Sequence, residues 1–147
     1  MNIKDINIKL LNENAVVPTY GSTYSAGADI YACLDETITI KPSETVFINT
    51  GISLEIPEGF VGLVYARSGL GCKKGLAPSN KVGVIDSDYR GELLVALHNH
   101  SNETHEINNH DRIAQIVFTP YLKGNFQVTT ELTDTVRGNG GFGSTNQ

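Results

Sequence analysis

The chain has no tryptophan, one methionine, two cysteines and only four arginines in 147 residues, and it has no long apolar run. Each shortage excludes something. Cys33 and Cys72 stand alone, too few and too far apart for a C-x-x-C motif or a disulfide framework, which suits a reducing compartment. No stretch approaches the roughly 18 apolar residues of a membrane helix. Met1-Asn2-Ile3-Lys4-Asp5 has none of the layout of a secretory signal, so the expectation is a cytoplasmic protein (nuclear in a eukaryotic or viral setting) with no membrane partner. A net charge of −5 with scattered lysines leaves no basic face, which argues against nucleic acid. The P-loop pattern G-x-x-x-x-G-K-[ST] is missing as well, so any phosphate is held another way.

What is present is the size of one domain, with 39% apolar residues for a core. The apolar positions recur every second residue: Ile6, Ile8 and Leu10; Ile38 and Ile40; Ile52, Leu54 and Ile56. Further β-rich runs are Glu44–Thr50, Phe60–Ala66, Val82–Ile85, Glu92–Leu97, Arg112–Thr119 and Phe126–Thr130, separated by Pro42, Pro57-Glu58-Gly59, Pro78, Gly91 and Gly124. Many short strands at this spacing predict an all-β sandwich or barrel. One short helical turn is expected around Ser68–Gly75.

The C-terminal run Arg137-Gly138-Asn139-Gly140-Gly141-Phe142-Gly143-Ser144-Thr145 is too rich in glycine for a helix or stable strand. It offers accessible N–H groups, two hydroxyls, a guanidinium and a ring, which is an inventory for gripping a phosphate chain beside a flat base. Gly138, Gly140 and Gly143 fit G-x-G-x-x-G, but that fingerprint needs a helix after it and only four residues follow. The dinucleotide reading is rejected. The four arginines, Arg67, Arg90, Arg112 and Arg137, each fall in a glycine- or aspartate-bearing segment, and arginine is suited to bidentate phosphate contact. A binder of a small anion is expected.

Five segments carry polar and glycine residues that strands do not need: Ser25–Ile30, Ala66–Leu70, Asn80–Gly91, Asp111–Gln115 and the tail. In this order and spacing the chain resembles the homotrimeric deoxyuridine triphosphatases (dUTPases) over nearly its whole length. The resemblance implies a distorted jelly-roll domain over residues 1–136 and a flexible arm over 137–147 that closes an active site. It also implies a homotrimer with sites shared between three chains, and Mg²⁺-assisted water attack that turns dUTP into dUMP and pyrophosphate. That reaction would limit uracil in DNA and supply dUMP for dTTP synthesis.

Residue roles come with the resemblance. Asp29 would hold Mg²⁺ through its water shell, and Arg67, Ser68 and Gly69 would contact the triphosphate. Asn80 and the main chain of Gly83, Val84 and Ile85 would read uracil. Asp86 would activate the attacking water, Tyr89 would lie under the deoxyribose and exclude a 2′-hydroxyl, and Gln115 would reach a phosphate oxygen. Arg137, Gly143, Ser144 and Thr145 would grip the γ-phosphate while Phe142 stacks on uracil. Physical chemistry supports the assignment: a carboxylate accepts a hydrogen bond from water as a general base does. Phosphoryl transfer also depends mainly on positioning and neutralised charge.

Plainer readings compete at several positions. Asp88 reads as a turn residue, Arg112 as an ion pair with Asp111, and Arg90 as either a solvated or a phosphate-contacting residue. His98 and His100 would share one strand face and could chelate a metal; a solvated loop is the reading adopted for the histidine stretch. Asn99-His100-Ser101 matches a glycosylation pattern by chance. His110 and Asn146 stand where the family usually has glycine, and both residue types tolerate positive φ. Two other functions remain in play: a dCTP deaminase-like enzyme, which shares the β fold but lacks such a tail, and a non-catalytic or regulatory module on the same scaffold.

Overall fold

Alternation along each strand decides which face is buried. In Leu94–Asn99, Val95, Leu97 and Asn99 point inward while Leu94, Ala96 and His98 reach the surface, the period-two pattern of a half-buried strand. The computed structural model describes residues 3–143. Ser144, Thr145 and Asn146 lie outside the described residues.

Among those residues the chain forms β1 (Asn7–Leu10), β2 (Thr19–Tyr20), β3 (Ala28–Tyr31), β4 (Ile38–Ile40), β5 (Thr45–Asn49) and β6 (Ile52–Glu55). It continues with β7 (Phe60–Tyr65), β8 (Leu76–Pro78), β9 (Gly83–Ile85), β10 (Leu94–Asn99), β11 (His105–Ile107) and β12 (Arg112–Pro120). The expected helical turn is a single five-residue π-turn, Gly69–Lys73. Every pairing is antiparallel. The sheets run β2-β3-β12-β7-β9, β5-β10-β8, β4-β11 and β1-β6. The fold is all-β, as the alternation of apolar residues predicted.

One core joins the sheets. Ile30, Ile40, Ile48, Leu97, Ile113 and Ile116 are wholly inaccessible to solvent, and each such side chain stabilises the fold by about 1.5–3 kcal/mol through burial. Asn99 is equally buried. Its amide donates to the carbonyls of Ile40 (3.0 Å) and Glu103 (2.7 Å), and its oxygen accepts from the Ser101 N–H and hydroxyl. A buried amide with every group satisfied is a structural knot, and it leaves no room for a glycan on Asn99.

Phe126–Thr130, expected as a strand, pairs with nothing among the described residues, and Phe126, Val128, Leu132 and Val136 are almost fully exposed. A strand needs a ladder partner for its backbone groups, and this segment lies against none of the described sheet edges. His110 does adopt the left-handed conformation, at φ 67°, and its Nε2–H donates to the Asn14 carbonyl at 2.8 Å. The left-handed turn for which the resemblance implied glycine is thus made here by histidine.

Candidate active site

The residues singled out from the sequence gather in two clusters on either side of β7, one on β3 and β12 and the other on β9 and the loops that flank it. The first is built across β3, β12 and β7. Gln115 in β12 lies opposite Asp29 in β3 on one side and Tyr65 in β7 on the other, so three strands project side chains toward one place. Arg67, two residues beyond Tyr65, donates from Nε to Asp29 at 2.7 Å. The Gln115 amide donates to the Ala66 carbonyl at 2.9 Å. Gly27 lies directly beneath that amide, where a Cβ would overlap it; Gly27 is therefore a site residue to which the sequence reading gave no role.

Arg112 corrects an expectation. Its guanidinium pairs with Asp29 at 3.1 Å, not with Asp111. Asp111 ends a turn and accepts the Asn108 N–H at 2.8 Å, which points its carboxylate back into that turn. Asp29 therefore carries two arginines, and its side chain is only 14% exposed, against 26% for Arg67 and 51% for Arg112. Ser68 precedes the π-turn and its hydroxyl makes no capping bond. At Gly69 nothing lies within 4 Å of where a side chain would begin, so the backbone is open to approach. A cleft of about 270 Å³ is lined by Arg67, Gly69, Leu70, Lys74, Asp111 and Arg112, among others.

The second cluster follows β8. The turn at Ser79–Val82 carries β8, which pairs with β10, into β9, which pairs with β7. Lys81 adopts φ 65° to make it. A Cβ on Gly83 would sit 3.4 Å from the Asn80 amide nitrogen and 3.3 Å from Val64 Cβ, so glycine lets the Asn80 amide lie close over β9. β9 is an edge strand, and one side of its main chain, from Gly83 to Ile85, is free to meet a flat hydrogen-bonding partner. Asp86 follows, exposed, with its carbonyl accepting the Tyr89 N–H at 3.2 Å. Tyr89 donates its hydroxyl to the Glu92 carbonyl at 2.9 Å. Arg90 donates to the carbonyls of Ser87 (2.7 Å) and Tyr89 (3.1 Å) and approaches Glu55 at 3.5 Å; it closes this loop.

Gly83 lies opposite Val64, near the first cluster, but Asp86 does not reach Arg67 within one chain. Ile85 lies opposite Gly62, and the five residues from Gly62 to Arg67 span roughly 16 Å at the rise of a strand. The described part of the tail, up to Gly143, meets neither cluster: Arg137 donates to the Gly140 carbonyl at 2.9 Å, and Phe142, at φ 50°, is fully exposed. Gly143 is also exposed.

Other features carry no site chemistry. A cleft of about 340 Å³ around Cys33, Asp35, Asn49 and Glu92 contains none of these residues, and the Glu92 carboxylate is already taken by the Gly51 N–H and the Asn49 amide. Burial, then Glu92 and Asp35, raise the Cys33 thiol pKa. His98 and His100 do stack edge-on, with centroids 4.3 Å apart. Desolvation, then Lys81 and His98, lower the pKa of His100.

Asp29 is the carboxylate that a divalent cation would meet between β3, β12 and β7; Glu106 and Asp111 line the neighbouring cleft. Each Asp29 oxygen accepts one N–H, which leaves a lone pair on each for a metal-bound water. Among the described residues, no three potential ligands gather anywhere. The donor set therefore fits an ion that arrives with a polyphosphate and touches Asp29 through water, the habit of Mg²⁺.

A family profile described as dUTPase matches residues 13–146. A deoxyuridine 5′-triphosphate nucleotidohydrolase of Desulfitobacterium hafniense is 51% identical over 130 residues, covering 88% of this chain and 86% of the relative. The enzyme of that name from Acinetobacter baylyi is 42% identical, over 97% of this chain and 98% of the relative. Among solved structures, the dUTPase of Staphylococcus bacteriophage 80alpha with dUPNHPP superposes with a TM-score of 0.89 at 29% identity, over 99% of this chain and 100% of that one. A mutant dUTPase from phage phi11, described with a structural Mg(II) ion, has a TM-score of 0.78 at 29% identity, over 87% and 98% of the two chains.

Proposed function

The chain belongs to the dUTPase family and is a dUTP nucleotidohydrolase, and we propose that it yields dUMP and pyrophosphate by attack of water on the α-phosphate at a site shared between chains. One observation carries the shared site. Asp86 and Arg67 lie at opposite ends of β7, too far apart to serve one phosphate group, yet hydrolysis needs a water activator and a phosphate clamp together. A second copy that brings its Asp86 loop to the first chain's Arg67 cluster resolves the conflict. The segment after β12 supports the same reading, since Phe126, Val128, Leu132 and Val136 are exposed and gain burial only against another copy. A closed homotrimer meets both needs.

In that site Arg67, the Ser68 hydroxyl, the Gly69 N–H and the Gln115 amide hold the triphosphate. Arg137, Phe142, Gly143, Ser144 and Thr145 close over it from the tail. The free edge of Gly83–Ile85 and the Asn80 amide match the donors and acceptors of uracil, and Tyr89 floors the sugar. Asp86 accepts a proton from the attacking water, a role worth on the order of 10²–10⁴ in rate. Asp29 would hold Mg²⁺ through its water shell, and the ion would supply charge neutralisation for the leaving pyrophosphate. The two free cysteines, one of them exposed, support a cytoplasmic location. Pyrophosphate release measured side by side with dUTP, UTP, dCTP and dTTP tests the reading. Turnover confined to dUTP is expected. Ammonia release from dCTP would point to a deaminase, and binding without turnover to a regulatory module.

A further inference from the structure

Arg112 is the cation bound to Asp29 that the reaction does not yet use. It opens β12, and its side chain crosses to β3 to donate to Asp29 Oδ2 at 3.1 Å. Its own carbonyl accepts Arg67 Nη1 at 3.4 Å. One residue thus touches both partners of the Asp29–Arg67 pair, through its side chain on one side and its backbone on the other. Half of its side chain remains exposed, on the cleft that Arg67 and Gly69 also line.

The charge balance gives this arrangement a direction. Two arginines on one carboxylate carry a net charge of about +1 before any ligand arrives. Lys74, Glu106 and Asp111 line the same cleft, so the preference is local to Asp29. Both of its oxygens already accept an arginine N–H, which occupies the carboxylate against a bare cation and leaves the open guanidinium edges to an anion. Asp29 in turn fixes Arg67 through Nε, which leaves Arg67 Nη2 free to point outward at a phosphate oxygen.

We propose that Arg112 is a positioning residue that locks Asp29 and Arg67 into a phosphate-accepting geometry, so that the site takes the triphosphate first and the divalent cation only with it. The proposal rests on Asp29 and Arg67 being the phosphate-side residues. Loss of Arg112 loosens Arg67, which weakens nucleotide binding without metal, and it frees Asp29, which strengthens binding of a bare cation. A merely structural role would weaken both.

The test compares the full-length protein with Arg112→Gln, Arg112→Lys and Arg67→Gln, each checked for native assembly and thermal midpoint. Binding of dUPNHPP in excess EDTA is measured by calorimetry, and binding of Mn²⁺ alone by electron paramagnetic resonance. Arg112→Gln is expected to weaken metal-free nucleotide binding roughly 3- to 10-fold, the range for losing a charge-assisted contact half open to solvent. It should also tighten Mn²⁺ binding. Arg112→Lys, which keeps the charge but not the fork, should fall between wild type and Arg112→Gln. Wild-type nucleotide affinity in both Arg112 variants, or weaker Mn²⁺ binding in Arg112→Gln, overturns the proposal. The Arg67→Gln arm separates the two levels. If it loses nucleotide while the Arg112 variants do not, only the role of Arg112 fails; if it binds normally, the phosphate-side reading fails with it.

Discussion

The ring of Tyr89 lies on the bare backbone of Gly91: a Cβ built at Gly91 would stand 2.5 Å from the phenol oxygen and 2.6 Å from its ring carbon. Nothing larger than glycine fits while the Tyr89 hydroxyl keeps its bond to the Glu92 carbonyl. Gly91→Ala should therefore displace the ring without removing it. Tyr89→Ala should remove it. Both variants are expected to narrow the preference for dUTP over UTP, because a ring packed on the sugar rejects a 2′-hydroxyl by volume and by leaving it unpaired. The ratio of kcat/KM for the two nucleotides reads this directly, and an unchanged ratio in both variants would take Tyr89 out of sugar selection.

Asp86→Asn should leave dUTP binding nearly intact and lower kcat by roughly 10²–10⁴. The amide keeps the shape of the carboxylate but cannot take a proton from water. Single-turnover kinetics beside equilibrium binding of dUPNHPP separate the two effects. Near-normal turnover removes Asp86 from the mechanism.

Deletion of Arg137–Gln147 should abolish most activity with little change in thermal midpoint, since the described part of this segment buries almost nothing. The sharing of sites makes a stronger claim. Tail-deleted protein and Asp86→Asn protein, each nearly inactive, should rescue one another after co-refolding, with about a quarter of the sites intact for equal mixing in a closed three-fold ring. No recovery in trimers shown to be mixed would mean that one chain supplies both parts of a site.

At His110, φ of 67° and the bond to the Asn14 carbonyl oppose each other energetically. His110→Gly relieves the backbone and loses the bond, so denaturant midpoints should report a change within about 1 kcal/mol. His110→Val combines a β-branched side chain with the same backbone and should cost about 2 kcal/mol or more. Equal stability of the two variants would show that the turn adopts another conformation.

Cys72 is exposed, while Cys33 is buried with its thiol pKa raised. Alkylation of the native protein near neutral pH should modify Cys72 and spare Cys33, because the thiolate is the reactive species. Peptide mass mapping decides it, and equal labelling at both positions would contradict the buried placement of Cys33.

Much of this molecule is local and was therefore legible in one dimension. Alternation at Ile38 and Ile40, with Thr39 exposed between them, reports burial on one face of a strand, because side chains reverse at every residue. Glycine and aspartate in segments that strands do not need marked the residues of both clusters, and His110 declared its own turn. The pairing of Arg112 with Asp29 instead of its neighbour Asp111 was not legible. Neither was the fit of Tyr89 to Gly91 or of Gln115 to Gly27, nor the β7 span that parts Asp86 from Arg67. Those depend on strand register and on which edges meet, and register is set by the packing of the whole sheet. The run Phe126–Thr130 marks the same boundary: its residue types specify a strand, but a strand exists only where another backbone offers it a ladder.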